Sequence, residues 1–125
     1  LSSFIEGLIG IKDKFKSFEN ISFSPRWSAA DVSNALIILS YGPSKKYVAY
    51  REQIDKKEKT IFIDFASSGA YVNSHVLLPD NMKAEFVKID GGKVNFKNVM
   101  VESSAYVDFS FDSNRAKRIE IKFMQ

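Results

Sequence analysis

Few residues of this chain could do chemistry. His75 is its sole histidine, so neither a histidine metal cluster nor a Ser-His-Asp relay with a spare imidazole can be assembled. Lying beside Ser74 in an alternating stretch, it reads as a structural strand residue. No serine has the G-x-S-x-G setting of a nucleophile elbow. Gly91-Gly92 lacks the following helix and the Gly-Lys-Ser/Thr element of a phosphate loop. With no cysteine, thiol catalysis, disulfides and zinc on thiolates are excluded. Carboxylates remain, since two acids can hydrolyse a glycosidic bond, one protonating the leaving oxygen while the other attacks or activates water. Asp64 and Asp108 each stand opposite an apolar strand face, and Glu52 shares no motif with either. Nothing announces the enclosing pocket that tunes such a pair. The chain reads as a non-enzyme with no metal and no cofactor.

Aromatic side chains offer binding instead, because exposed Trp and Tyr rings stack on the apolar faces of sugars. Trp27 follows Pro25-Arg26 at a strand end, and Tyr41, Tyr47 and Tyr50 flank the Gly42-Pro43 turn. If these rings face solvent, Trp27, Tyr41, Tyr47 and Tyr50, with Arg26 beside them, form a carbohydrate-binding platform. The competing expectation is that Trp27 anchors the first strand and that the tyrosines fill sheet edges.

The elements that must position these residues are strands. Mainly apolar faces recur with period two, in Val48, Tyr50 and Ile54 (with Glu52 among them), in Ile61, Ile63 and Phe65, in Val72, Val76 and Leu78 (with Ser74 among them), in Val107, Phe109 and Phe111, and in Ile119, Ile121 and Phe123. That is the period of a half-buried strand. Residues 35–41, ALIILSY, are apolar on both faces, as in a central sandwich strand. Residues 72–96 read as a β-meander, turned first by a Leu-Pro-Asp-Asn corner and then by an Asp90-Gly91-Gly92 hairpin with positive-φ positions. Residues 1–16 differ. Phe4, Ile5, Leu8, Ile9, Ile11 and Phe15 suit an amphipathic helix, although Gly7 and Gly10 each cost about 1 kcal/mol relative to alanine. The expected architecture is an all-β, antiparallel two-sheet β-sandwich, jelly-roll-like, with eight or nine strands over 17–125, preceded by a short N-terminal helical stub or linker over 1–16. Its inward set is Phe23, Leu36, Ile38, Val48, Ile61, Ile63, Val76, Leu78, Val87, Ile89, Val107, Phe109, Ile119 and Ile121.

Size and charge are compatible with this. A chain of 125 residues can bury roughly two-thirds of its unfolded surface and needs no staple. Its 18 basic residues outnumber 15 acidic ones, for a formal charge of +3, and both signs are interspersed as on an ordinary solvated surface. The basic run over residues 45–59 reads as a charged edge or hairpin, which gives nucleic acid little support as a partner. No apolar run reaches the ~20 residues that span a bilayer. The start, Leu1-Ser2-Ser3-Phe4, has no initiator methionine and no signal-peptide pattern, and reads as a piece of something longer.

Three features in fixed order resemble a known join. Glu6-Gly7-Leu8-Ile9-Gly10-Ile11, then Ile21-Ser22-Phe23-Ser24-Pro25-Arg26-Trp27, then His75-Val76-Leu77-Leu78-Pro79 with Val87-Lys88-Ile89-Asp90-Gly91-Gly92-Lys93-Val94 are similar to the passage from a six-hairpin, (α/α)6-barrel glycoside hydrolase into its C-terminal β-sandwich domain. Arg26 and Trp27 depart from that pattern, standing where a second proline is usual. The resemblance implies a non-catalytic accessory domain of a bacterial carbohydrate-active enzyme, periplasmic or extracellular. Its partner would be the catalytic barrel of the parent chain, which holds the catalytic acids, together with an oligo- or polysaccharide and neither membrane nor nucleic acid. Two other expectations stand beside it: a free-standing carbohydrate-binding module, and an adhesion or assembly domain acting through a sheet edge.

Overall fold

The period-two segments form strands throughout the part of the chain that the computed structural model describes, residues 11–13, 20–27, 34–41, 46–69 and 71–125. In order these are β1 (Ile11–Asp13), β2 (Asn20–Phe23), β3 (Asn34–Tyr41), β4 (Lys46–Asp55), β5 (Thr60–Ser67), β6 (Tyr71–Leu77), β7 (Lys83–Ile89), β8 (Gly92–Val94), β9 (Lys97–Val101), β10 (Ser104–Asp112) and β11 (Lys117–Met124). They make two sheets, one in the order β1-β2-β6-β10-β9 and one in the order β3-β4-β5-β11-β7-β8. Pairing is antiparallel except between β2 and β6. The fold is an all-β sandwich.

Alternation decides which side chains enter the core. From the six-stranded sheet come Val48, Tyr50 and Ile54 of β4, Ile61, Ile63 and Phe65 of β5, and Ile119, Ile121 and Phe123 of β11. Phe23, Val72, Val76, Ala105, Val107, Phe109 and Phe111 meet them from the five-stranded sheet.

Several expectations change. Ile11–Asp13, taken as part of a helical stub, instead pair with β2 from Ile11↔Phe23 to Asp13↔Ile21; residues 1–10 and 14–16 of that stub lie outside the described residues. Leu36 is not inward. Cross-strand pairing sets it opposite Arg51 on the outer face, 58% exposed, while its neighbour Ala35 is buried. A strand apolar at successive positions carries no parity from which its buried face can be read. Ile38 is among the strand residues whose side chains are not described.

The stretch 72–96 is not a meander. β6 belongs to the five-stranded sheet and β7 to the six-stranded one, so the Leu78–Pro79 corner carries the chain across the sandwich. Leu78 N–H donates to the Ala105 carbonyl, Met82 N–H donates to the Pro79 carbonyl, and Asn81 takes a positive φ of 63°. The second turn is the expected hairpin: Asp90 and Gly91 have φ of 51° and 85°, the positive values that match a tight turn to strand twist. Beyond it the chain crosses again between β8 and β9.

A bulge adjusts β7 to this path. The register passes from Lys122↔Phe86 to Phe123↔Ala84, so Glu85 is the extra residue and Ala84 turns inward. Asn98 of β9 closes the gap between sheets there. Its Oδ1 accepts from Ala84 N–H at 2.7 Å and its Nδ2 donates to Ala84 C=O at 3.1 Å, as a neighbouring strand would. Truncating Asn98 to alanine should leave both backbone groups to water. The expected cost is about 1 kcal/mol, read as a melting temperature lower by about 4 °C; an unchanged melting curve would contradict this clamp.

Candidate functional site

The carboxylates considered for catalysis lie in three separate places, two on opposite outer faces and one in the core. Asp108 is on the outer face of the five-stranded sheet, where it bonds His75 Nδ1. The imidazole stacks on Tyr106 with ring centroids 3.8 Å apart, so His75 is held on two sides. Asp64 is on the outer face of the six-stranded sheet, engaged by Arg118 at 2.9 and 3.0 Å. Glu52 points into the core, 1% exposed. The fold brings no two of these acids together.

The aromatic platform is not assembled either. Tyr50 follows the inward parity of β4 and is 1% exposed, so its ring cannot stack on a sugar. Trp27 is half-buried over it and donates from Nε1 to the Tyr50 hydroxyl at 2.7 Å. Burial drives the phenol well above its ordinary pKa, with the Trp27 hydrogen bond opposing that rise and Glu52 adding to it. Trp27 therefore anchors the end of β2 to the opposite sheet. Tyr47 has the opposite parity and faces solvent. Arg26 is exposed and lines a separate recess at the Leu78–Pro79 corner. Tyr41 pairs with Lys46 through its backbone, and its side chain is not described.

A different site is built on the outer face of the six-stranded sheet. Ala49 and Ala66 are direct cross-strand partners, and Ala116 precedes β11, whose Lys117 pairs with Phe65. Three methyl-sized side chains in one row leave a trough of about 420 Å³, within the range of small-ligand sites. Leu36 stands at one end, and Arg51, Asp64 and Arg118 form the adjacent row.

Arg118 is the most constrained member. Its backbone exchanges two bonds with Asp90, whose N–H donates to the Arg118 carbonyl at 2.8 Å and whose carboxylate accepts from Arg118 N–H at 2.9 Å. The Asp90-Gly91-Gly92 turn thus fixes β11 where it borders the trough. The guanidinium lies 4.6 Å from the centroid of Phe62 and bonds Asp64 through one nitrogen, so its other N–H groups have no partner among the described residues. Lys117 reaches Asp90 at 3.7 Å. No hydrogen bond or ion pair holds Arg51 among the described residues. The row sets the Arg51 guanidinium and the Asp64–Arg118 ion pair beside an apolar floor.

Sequence reading missed this site because three isolated alanines acquire meaning only through register. No group of metal-ligating side chains occurs among the described residues. No protein family, curated protein or solved structure significantly matches the chain.

Glu52 has a stability consequence. Both carboxylate oxygens are buried and lack hydrogen-bond partners, and burial pushes the acid up to about 8 from 4.5. The folded state holds this proton more tightly than the unfolded state, so the contribution of Glu52 to stability is most favourable below pH ~4.5 and is lost as pH rises toward 8. The loss at pH 7 is on the order of 3 kcal/mol. Glu52→Gln should therefore melt higher than the parent at pH 8 and alike at pH 4. A gain independent of pH would contradict the assignment.

Proposed function

We propose that this chain is a non-catalytic accessory β-sandwich domain of a carbohydrate-active enzyme, and that it contacts glycan through the alanine-floored trough of its six-stranded sheet. One observation carries the reading: a gap of about 420 Å³ beside a preorganised Asp64–Arg118 pair. Methyl groups of Ala49 and Ala66 with the exposed Leu36 offer the apolar contact that a sugar ring makes with its axial C–H face. The carboxylate–guanidinium pair offers the acceptor and donors that adjacent hydroxyls require. Because Arg118 is held by Asp90, Asp64 and Phe62 before any ligand arrives, little side-chain freedom is lost on binding. An open trough of this size supports weak binding, with Kd of about 1 mM.

The test is calorimetric titration with a panel of oligosaccharides. Saturable binding is expected, abolished by Ala66→Leu, which fills the trough, and weakened at least tenfold by Arg118→Gln. Trp27→Phe should bind as the parent does. Loss of binding in the Trp27 variant alone, or no saturable response up to about 10 mM sugar in the parent, would overturn the reading.

A second reading, assembly through a sheet edge, is favoured by β3. This strand is eight residues long, largely apolar, and paired on one side only among the described residues, which is the geometry that recruits a further strand. Sedimentation should then show concentration-dependent association; a monomer at every concentration removes this reading.

A further inference from the structure

We propose that the ligand of this face is an acidic glycan, one of whose carboxylates or sulfates is held by Lys88 and Lys93 while the neighbouring sugar occupies the trough. The inference deepens the glycan reading above and rests on it. It begins with charge. Among the described residues, the outer face of the six-stranded sheet carries six cations, Arg51, Lys83, Lys88, Lys93, Arg118 and Lys122, against three acids, Asp55, Asp64 and Glu120. That excess equals the formal charge of the whole chain, +3. All other basic residues are therefore matched in number by acids, and the surplus sits on the face that bears the trough.

Within that face Lys88 and Lys93 are direct cross-strand partners. Like charges set opposite each other destabilise a sheet. Here both ammonium groups gather over one ring, 4.8 and 5.7 Å from the Phe86 centroid, and no ion pair reaches either among the described residues. Glu120 stands opposite Lys88 on the other side and offsets one of the two. Two cations held together over an aromatic ring form an anion site whose repulsion a bound acidic group relieves. β8 lies two strands from β11, so this clamp sits about 10 Å from Arg118, a distance bridged by an oligosaccharide of a few residues. Phe62 and Phe86 each carry a cation over the ring, which leaves Tyr47 as a lone exposed ring on this face among the described residues, where single-strand binders stack successive bases on several rings. This favours a glycan over a nucleic acid.

The experiment compares three probes on the 125-residue chain at 50 and 300 mM salt: a tetramer of galacturonic acid, the same tetramer with its carboxyls methyl-esterified, and a single-stranded oligonucleotide of equal charge. The acidic tetramer should bind at least tenfold tighter than its ester at low salt, and the advantage should shrink at high salt. Lys88→Gln/Lys93→Gln should remove most of it. Equal binding of acid and ester, with both lost in Ala66→Leu, would overturn the acidic-ligand inference and leave the trough standing. Binding of neither sugar would overturn both. An oligonucleotide bound more tightly than the uronide would overturn the choice of a glycan.

Discussion

Phe23 meets Tyr50 and Phe65 edge to face, at 4.8 and 5.1 Å between centroids, and the rest of the structure depends on this contact across the sandwich. Phe23 comes from one sheet and its two partners from the other. Phe65 continues to Phe111 at 5.3 Å, and Trp27 caps Tyr50 from outside. Each such pair adds about 0.5–1.5 kcal/mol beyond the area it buries. More important is position: a ring fixed on both sides sets the register of β4 and β5 against β2. With parity on β4 and β5 settled, Ala49, Arg51, Asp64 and Ala66 can only face outward, and the trough follows from the core behind it.

Both turns of the stretch 72–96 serve the same end. The Leu78–Pro79 corner moves the chain from one sheet to the other, which places β7 beside β11. The Asp90-Gly91 hairpin then turns back and locks Arg118 through its own carboxylate. A turn residue that tolerates positive φ thus also fixes the backbone of Arg118 beside the trough. Glu52, like the Ser74 hydroxyl, departs from an otherwise consistent core. Its carboxylate follows the inward parity of β4 into a space without partners, and the protein is less stable near neutral pH for it.

Much of the sandwich was legible in the sequence. Alternation in β4, β5, β6, β10 and β11 marked their buried faces, and Asp90-Gly91-Gly92 marked its hairpin through the conformations those residues tolerate. Strand partnership was not legible, because period two reports that a face is buried and not which sheet buries it; the corner at Pro79 therefore read as a meander. Leu36 misleads because its strand is apolar on both faces, and the inward turn of Ala84 has no sequence signal because a bulge at Glu85 inverts parity midway. Ile11–Asp13 fitted a helical spacing that pairing with β2 overrides. Tyr50 enters the candidate platform only if it faces solvent, and the parity of Val48 and Ile54 points it inward. The trough had no local signature, since Ala49, Ala66 and Ala116 meet only after three strands align, and the link between Asp90 and Arg118 spans 28 residues.

The central claim is that recognition resides on the outer face of the six-stranded sheet and not at the tryptophan. Two-dimensional NMR of the labelled protein during titration with an acidic oligosaccharide tests it most directly, because every backbone amide and the Trp27 indole report separately. The account predicts saturable shifts at Ala49, Ala66, Lys88, Lys93 and Arg118 with the indole unmoved. Shifts centred on the Trp27 indole and Tyr47, with the alanine row silent, would contradict it.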